Sequence, residues 1–366
     1  ANICEPLAAS FASHGYDRVK PPLVEFEDGL MSGAGAAVSG DTFRLMDPVS
    51  QRMMGVRADM TTQVARIAVT RLNDMPRPLR LSYTGEVLRI RGTQLRPERQ
   101  FAQVGAELIG VESAAADIEI IAIAVGSLRE IGIPALSVDL TIPPLVSALI
   151  DELQLSDDVR LALRDALDRK DVSSVREHGG DHAEALCSLM DGTGPASDAL
   201  SVLGGLSLSA APAAELARLR IVAEGLATRI PDLDITIDPV ENRGFEYHTG
   251  VGFTIFSRGE RGEIGSGGRY VATLNGADAG NDNGEAATGF TLYVDTIMRV
   301  LPVPDLSARL FVPYGASGDD ELAKLRDEGW VTVAGLDGDA DAASEGRRLG
   351  CSHIWVSGAA QPLEQE

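Results

Sequence analysis

The sequence predicts an α+β fold: an antiparallel sheet flanked by helices, interrupted by a helical insertion and followed by a small C-terminal α/β unit. Three observations predict it. Strand-like runs up to residue 142 come in neighbouring pairs with helices between them. Residues 143–230 are consecutive helical runs with no strand worth naming, and strands resume only afterwards. Beyond a proline-marked linker, strand and helix alternate to the C-terminus. The expected divisions are a first part of the core at 1–142, the insertion at 143–230, a second part of the core at 231–303 and the terminal unit at 304–366.

Each element has a local cause. Ile3, Leu7 and Phe11 recur at four-residue spacing within a helix over 2–14, and Gly15 stops it. Tyr16–Glu25 contains Pro21 and Pro22, which cannot donate to a ladder, so it is an edge or interface strand. A small-residue loop at 32–40 leads to a hairpin-like pair, 41–47 and 51–59. Thr61 or Thr62 then opens a helix through Arg71. Two strands occupy 79–110 around the basic loop from Arg91 to Arg99. Asp117 is expected to cap a helix that Gly132 and Pro134 terminate, and 136–141 returns as a strand. The insertion includes helices over 156–168, 181–190 and 212–229. Strands are expected at 233–239, 244–257 and 262–266, a tight glycine-rich turn at 265–270 and a helix over about 287–300. Pro302 and Pro304 mark the linker at 301–307. The last unit reads βαβαβ over about 55 residues, small for an independent domain, and is expected to lean on the main body.

Composition narrows the function. At 366 residues there is room for about two domains. With 54 acids against 32 bases the formal charge is −22, and the lysines are Lys20, Lys170 and Lys324. Phosphate backbones are bound through clustered Lys and Arg, so a general nucleic-acid binder is disfavoured. The charge favours solubility and would suit a partner with basic patches. No apolar run approaches the roughly 20 residues of a membrane helix, and no secretory signal is recognisable. The chain begins at Ala1 and enters a helix at once, so a few leading residues are expected to be absent. Cys4, Cys187 and Cys351 are too few and scattered for a disulfide framework, which fits a reducing, cytoplasmic setting. His178 and His182 with nearby Cys187 lack a second cysteine or a companion acid, so no metal is expected and they read as surface residues near a helix start.

The most informative stretch is Leu81–Glu107. A strand-like run ends in Arg89, a basic loop follows, and Gln103 and Glu107 stand four residues apart. That arrangement aims a guanidinium and two polar acceptors into one pocket from neighbouring elements. The stretch resembles motif 2 of the class II aminoacyl-tRNA synthetases, most closely that of the histidyl-tRNA synthetase family. Three further segments match in order, over nearly 300 residues. Tyr16–Glu25 resembles motif 1, which builds the dimer interface in that family. Arg57-Ala58-Asp59-Met60-Thr61 resembles the Arg-Pro-Glu-Gly-Thr segment that holds the amino group of histidine. Arg243-Gly244-Phe245-Glu246-Tyr247-His248 resembles the Arg-Gly-Leu-Asp-Tyr-Tyr histidine signature. The Gly267-Gly268-Arg269-Tyr270 segment also recurs there.

The chemistry can be stated directly. A zwitterionic amino acid needs an anion for its ammonium and a cation for its carboxylate, and an imidazole needs an acceptor. Asp59, Thr61 and Gln103 could serve the ammonium, Arg89 and Arg243 could face the carboxylate, and Glu107 is the natural imidazole partner. Tyr247 and His248 complete the set the resemblance implies. Without the motifs, Glu107 could equally cap or pair internally, and Arg243 could be a strand-edge ion pair.

The departures point away from catalysis. Arg91 stands where the family has a glutamate that helps to place ATP. In Gly289–Thr296, Thr296 takes the position of an arginine that grips the triphosphate, and bulky Tyr293 that of a glycine. A neutral hydroxyl cannot replace a bidentate guanidinium, and losing one such donor costs on the order of 100-fold in rate. His248 replaces the second tyrosine of the signature and reaches less far. The terminal unit resembles a shortened anticodon-binding domain, with Arg347 and Arg348 matched by Asp319, Asp320, Glu321 and Asp341, so tRNA reading is not expected.

On these residues the chain is identified as a member of the regulatory subunits of ATP phosphoribosyltransferase, catalytically silent paralogues of histidyl-tRNA synthetase. The resemblance implies a hetero-octamer with the short-form catalytic subunit, which needs this chain for activity in the first step of histidine biosynthesis and for feedback by histidine. It also implies a homodimer through the motif 1-like region, free histidine as ligand, and no cofactor or catalytic residue of its own. The alternatives are a divergent histidyl-tRNA synthetase, which would exchange pyrophosphate with ATP, and a stand-alone histidine- or amino-acid-sensing scaffold.

Overall fold

The first helix, α1 (Cys4–Ser13), buries Leu7 and Phe11 one turn apart and ends where Gly15 takes a φ of +83°. The computed structural model describes residues 3–31, 40–92, 97–241, 248–273, 284–302, 308–338 and 341–364. β1 (Asp17–Arg18) is followed by β2 (Val24–Phe26), α2 (Glu27–Leu30), β3 (Phe43–Met46) and β4 (Met53–Val56). The last three strands form a small sheet in the order β2-β4-β3. Then come α3 (Thr61–Thr70), the long hairpin β5 (Leu79–Leu88) and β6 (Gln100–Ile109), α4 (Ala114–Glu130) and β7 (Leu136–Thr141). The insertion comprises α5 (Pro143–Glu152), α6 (Asp157–Asp168), α7 (Val172–His178), α8 (Ala183–Asp191), β8 (Gly194–Pro195), α9 (Ala196–Leu203) and α10 (Ala210–Arg229). The core resumes with β9 (Asp234–Ile237), β10 (Gly252–Ser257), β11 (Gly265–Ala272), β12 (Glu285–Tyr293) and α11 (Val294–Val300).

Nine strands form the main sheet in the order β1-β5-β6-β12-β11-β10-β7-β9-β8. Its back packs on α1 and α4 through the larger apolar cluster, where Phe11 meets Phe290 edge-on at 5.3 Å. Its front packs on α3 through a second cluster that includes Met60, Val64, Leu81 and Val87. The front carries the candidate site. Among the described residues, no helix is long and apolar enough to cross a membrane.

Several expectations are corrected. The sheet is antiparallel in its centre, but β1 pairs with β5 and β7 with β9 in parallel. The second pairing arises because the inserted helices return the chain as a crossover. The insertion does hold a strand, the two residues of β8, too short to leave a pattern. Residues 265–270 are not a turn but part of β11, paired on both sides. Their glycines serve close backbone approach: a Cβ on Gly268 would come within 2.8 Å of the Gly252 Cα. Residues 287–293 are strand, and helix begins only at Val294, because ladders on both sides override local propensity. In the stretch expected as strand at 244–257, strand starts at Gly252, and 242–247 lie outside the described residues. Asp117 does not cap α4: Ser113 precedes the helix, and Asp117 is buried in its first turn. His178 ends α7, while His182 does stand at the start of α8 and pairs with Glu152 at 3.0 Å, and Cys187 is buried in the core rather than at the surface.

The chain divides into two compact units, Ala1–Leu301 and Pro302–Glu366. The second contains β13 (Arg309–Val312), α12 (Asp319–Asp327), β14 (Val331–Ala334), α13 (Ala342–Arg348), β15 (His353–Val356) and β16 (Ala359–Pro362). Its sheet runs β14-β13-β15-β16, the last strand being antiparallel and unforeseen.

Candidate functional site

Register creates the site. Gly252, Gly268 and Gly289 are directly opposite one another on β10, β11 and β12, and Glu107 of β6 is opposite Gly289. Three glycines in a row leave a trough with no side chains in its floor, and the Glu107 side chain lies along it. A Cβ on Gly289 would collide with that carboxylate. In the next row Tyr83 is opposite Gly105, and a side chain at 105 would strike the Tyr83 ring. The glycine therefore lets the phenol lie across the sheet.

Glu107 is 1% exposed and held from both sides by phenols. Tyr83 Oη donates to its Oε1 at 3.2 Å and Tyr270 Oη to its Oε2 at 3.0 Å. Burial pushes the carboxyl up to about 8, helped by the nearby Asp59 charge and opposed by the phenols. Glu107 thus favours its protonated form near neutrality, and a neighbouring cation would favour the ionised form. The Tyr83 hydroxyl also exchanges hydrogen bonds with Thr291 Oγ1 at 2.8 Å and Thr61 Oγ1 at 3.2 Å.

Asp59 precedes α3 and accepts from the Thr61 backbone N–H at 2.8 Å. Gln103, fully buried, donates from Nε2 to Asp59 Oδ2 at 2.9 Å while its Oε1 accepts from the Met60 N–H at 3.1 Å. Gln103 is thereby a prop for Asp59. His248 is 7% exposed beside Gly268, and burial lowers its imidazole to about 3, so the ring is neutral. One cavity is lined by Asp59, Thr61, Glu107, His248, Ser266, Tyr270, Thr291 and Tyr293, over the glycines of the trough.

A second recess adjoins it, lined by Arg89, Arg91, Gly92, Glu98, Phe101, Glu263 and Tyr293. Arg89 lies here rather than in the first cavity, its Nε donating to Ala58 O at 3.3 Å and its guanidinium 5.3 Å from the Phe101 ring centroid. Thr296 is 1% exposed and accepts from Arg299 Nη2 at 3.3 Å. That arginine, one turn further on, is surrounded by Glu260 at 3.1 Å, Glu98 at 3.7 Å and Asp295 at 3.8 Å. Arg243 and Tyr247 lie outside the described residues.

Sequence reasoning missed Tyr270, Ser266 and Thr291 as cavity residues and Tyr83 as a buried donor to Glu107. No local signal marks them, because each acts through cross-strand pairing. It also missed the role of Arg269. This buried side chain donates to Asp117 from Nε at 3.2 Å and Nη2 at 2.8 Å, and to the Val111 and Ser113 carbonyls, tying β11 to the start of α4.

Comparison with known proteins agrees with this fold. The family model described as histidyl-tRNA synthetase matches residues 1–297. A protein of Rhodospirillum centenum named ATP phosphoribosyltransferase regulatory subunit is 50% identical over 364 residues, covering 100% of this chain and 92% of its own. One of the same name from Paramagnetospirillum magneticum is 50% identical over 353 residues, 96% of this chain and 90% of its own. Among solved structures, an ATP phosphoribosyltransferase regulatory subunit/histidyl-tRNA synthetase from Bacillus halodurans superposes with a TM-score of 0.78 at 25% identity, covering 94% of this chain and 91% of that one. A histidyl-tRNA synthetase from a Nostoc species shares the fold, with a TM-score of 0.76 at 18% identity and coverage of 98% and 87%.

Proposed function

Since the chain belongs to the histidyl-tRNA synthetase-like family of ATP phosphoribosyltransferase regulatory subunits, we propose that it is the non-catalytic partner that a short-form catalytic subunit needs for activity and for inhibition by histidine in the first step of histidine biosynthesis. The observation that carries this reading is a contrast within the site. Carboxylates suited to an amino acid are kept and held in place, while Tyr293, Glu98 and Glu263 line the adjoining recess and the buried Thr296 stands where the resemblance puts a phosphate-gripping arginine.

Histidine would place its ammonium at Asp59 and Thr61 and its ring N–H at Glu107. Arg243 would answer the carboxylate, with Arg89 at the edge of the neighbouring recess, and Tyr247 and His248 would flank the imidazole. Gln103 keeps Asp59 oriented through its hydrogen bond at 2.9 Å. The ligand acts by binding one state of the assembly better than another, a coupling of about 1–3 kcal/mol in typical cases. The chain has no aminoacylation activity of its own: Thr296 offers a neutral hydroxyl, and Arg299, one turn further on, is surrounded by carboxylates. It dimerises through Tyr16–Glu25 and assembles with the catalytic subunit as a hetero-octamer in the cytoplasm.

The test is to mix the purified chain with a short-form catalytic subunit and measure phosphoribosyl-ATP formation with and without histidine. Stimulation that histidine suppresses supports the reading, and no stimulation removes it. Histidine-dependent exchange of pyrophosphate with ATP by the chain alone would make it a synthetase instead.

A further inference from the structure

Tyr293 lines both concavities. It is the last residue of β12, on the same face as Gly289 and Thr291 by the two-residue alternation of a strand. Its hydroxyl is hydrogen-bonded to Ser266 Oγ at 2.9 Å, so the ring spans from β12 to β11. Its ring meets Phe101 edge-on, with centroids 6.2 Å apart and planes at 73°. The Arg89 guanidinium lies over the same phenylalanine. Phe101 is an aromatic surface on which a base could stack, and it is already covered by these two side chains. Nor is the tyrosine free to shift its backbone. Its N–H is bonded to Ile264 O at 2.9 Å, it is paired with Gln103, and α11 begins at the next residue.

We propose that Tyr293 is the specificity-determining residue that limits this site to ligands of amino-acid size, by closing the passage from the Glu107 cavity to the Arg89 recess against any nucleoside. This deepens the reading of the cavity as an amino-acid site and rests on it, but the steric part can be tested separately. It also differs from the loss of the phosphate grip at Thr296. Restoring an arginine there would leave the base with no place to lie.

The experiment titrates adenosine, which carries no phosphate, into the full-length chain and into Tyr293→Ala, Tyr293→Leu and Tyr293→Phe by calorimetry. Tyr293→Ala is expected to bind adenosine about tenfold or more tightly than the parent chain. Tyr293→Phe, which keeps the ring, is expected to match the parent. Tyr293→Leu still packs on Phe101 without spanning to Ser266, and is expected to gain binding should the alanine variant fail to fold. Equal affinity in the parent and in the folded shortened variants overturns the proposal, as does a gain in Tyr293→Phe as large as in Tyr293→Ala. Histidine is titrated in parallel. If the shortened variants gain adenosine while no form binds histidine, the gate stands and the amino-acid reading falls. If histidine binds but adenosine is never gained, the gate falls alone.

Discussion

The Glu107 cavity and the Arg89 recess share strands and differ in how their charges are answered. In the cavity, the described partners of the acids are neutral: phenols on Glu107, an amide and a backbone N–H on Asp59. Such donors satisfy lone pairs without cancelling charge, so a cationic ligand would meet no competing cation at Asp59 and would favour ionisation of Glu107. Beside the recess, Arg299 is answered by charge, between Glu260, Glu98 and Asp295, while Arg89 in the recess lies on Phe101.

The comparison breaks most severely if its common frame fails. Arg269→Ala leaves Asp117 as an unpaired buried carboxylate, and is expected to cost about 3–5 kcal/mol in urea unfolding. A loss well under 1 kcal/mol, by the same scale, would mean that the pair does not tie β11 to α4. Next, Glu107→Ala is expected to weaken histidine binding about tenfold or more, roughly 1.4 kcal/mol. Calorimetry with unchanged affinity would remove Glu107 from the pocket.

Titration sharpens the contrast further. Glu107 holds its proton up to about 8 when folded but releases it near 4.5 when unfolded, so the unfolded state binds fewer protons between those values. Stability should fall as pH rises through that window, and Glu107→Gln should flatten the slope. His248 has the opposite sign of dependence. Folded, it stays neutral down to about 3, whereas the unfolded ring takes a proton below 6.5, so stability should fall on acidification and His248→Gln should reduce that loss. The smallest effect is expected in the recess: Arg91→Ala should leave histidine affinity within about twofold, since Arg91 lines the recess and not the Glu107 cavity. A tenfold loss would erase the division between the two regions.

Much of the fold was legible. The β5–β6 hairpin, α3, β7 and the alternating terminal unit follow from local periodicity and punctuation. Misread segments were those whose local signal is overruled by neighbours far along the chain. The glycines of β11 look like a turn and are a strand because a Cβ would strike the adjacent backbone. Ala286 and Ala287 favour helix and are strand because ladders form on both sides. Asp117 looks like a cap and is the buried partner of an arginine 152 positions away. In the site, Asp59, Thr61, Glu107 and His248 meet in one cavity, while Arg89 lies in the neighbouring recess.

By itself the sequence determined which chemical groups the site has: the acids at 59 and 107, the hydroxyl at 296 where a cation would be needed, and the tyrosine at 293. The tertiary structure decided what those groups do, because strand register places three glycines in one row and brings Tyr270 to a carboxylate 163 residues distant. Periodicity is written between chain neighbours. Register is set by packing and hydrogen bonding between remote segments, and it is register that buries Glu107 between two phenols.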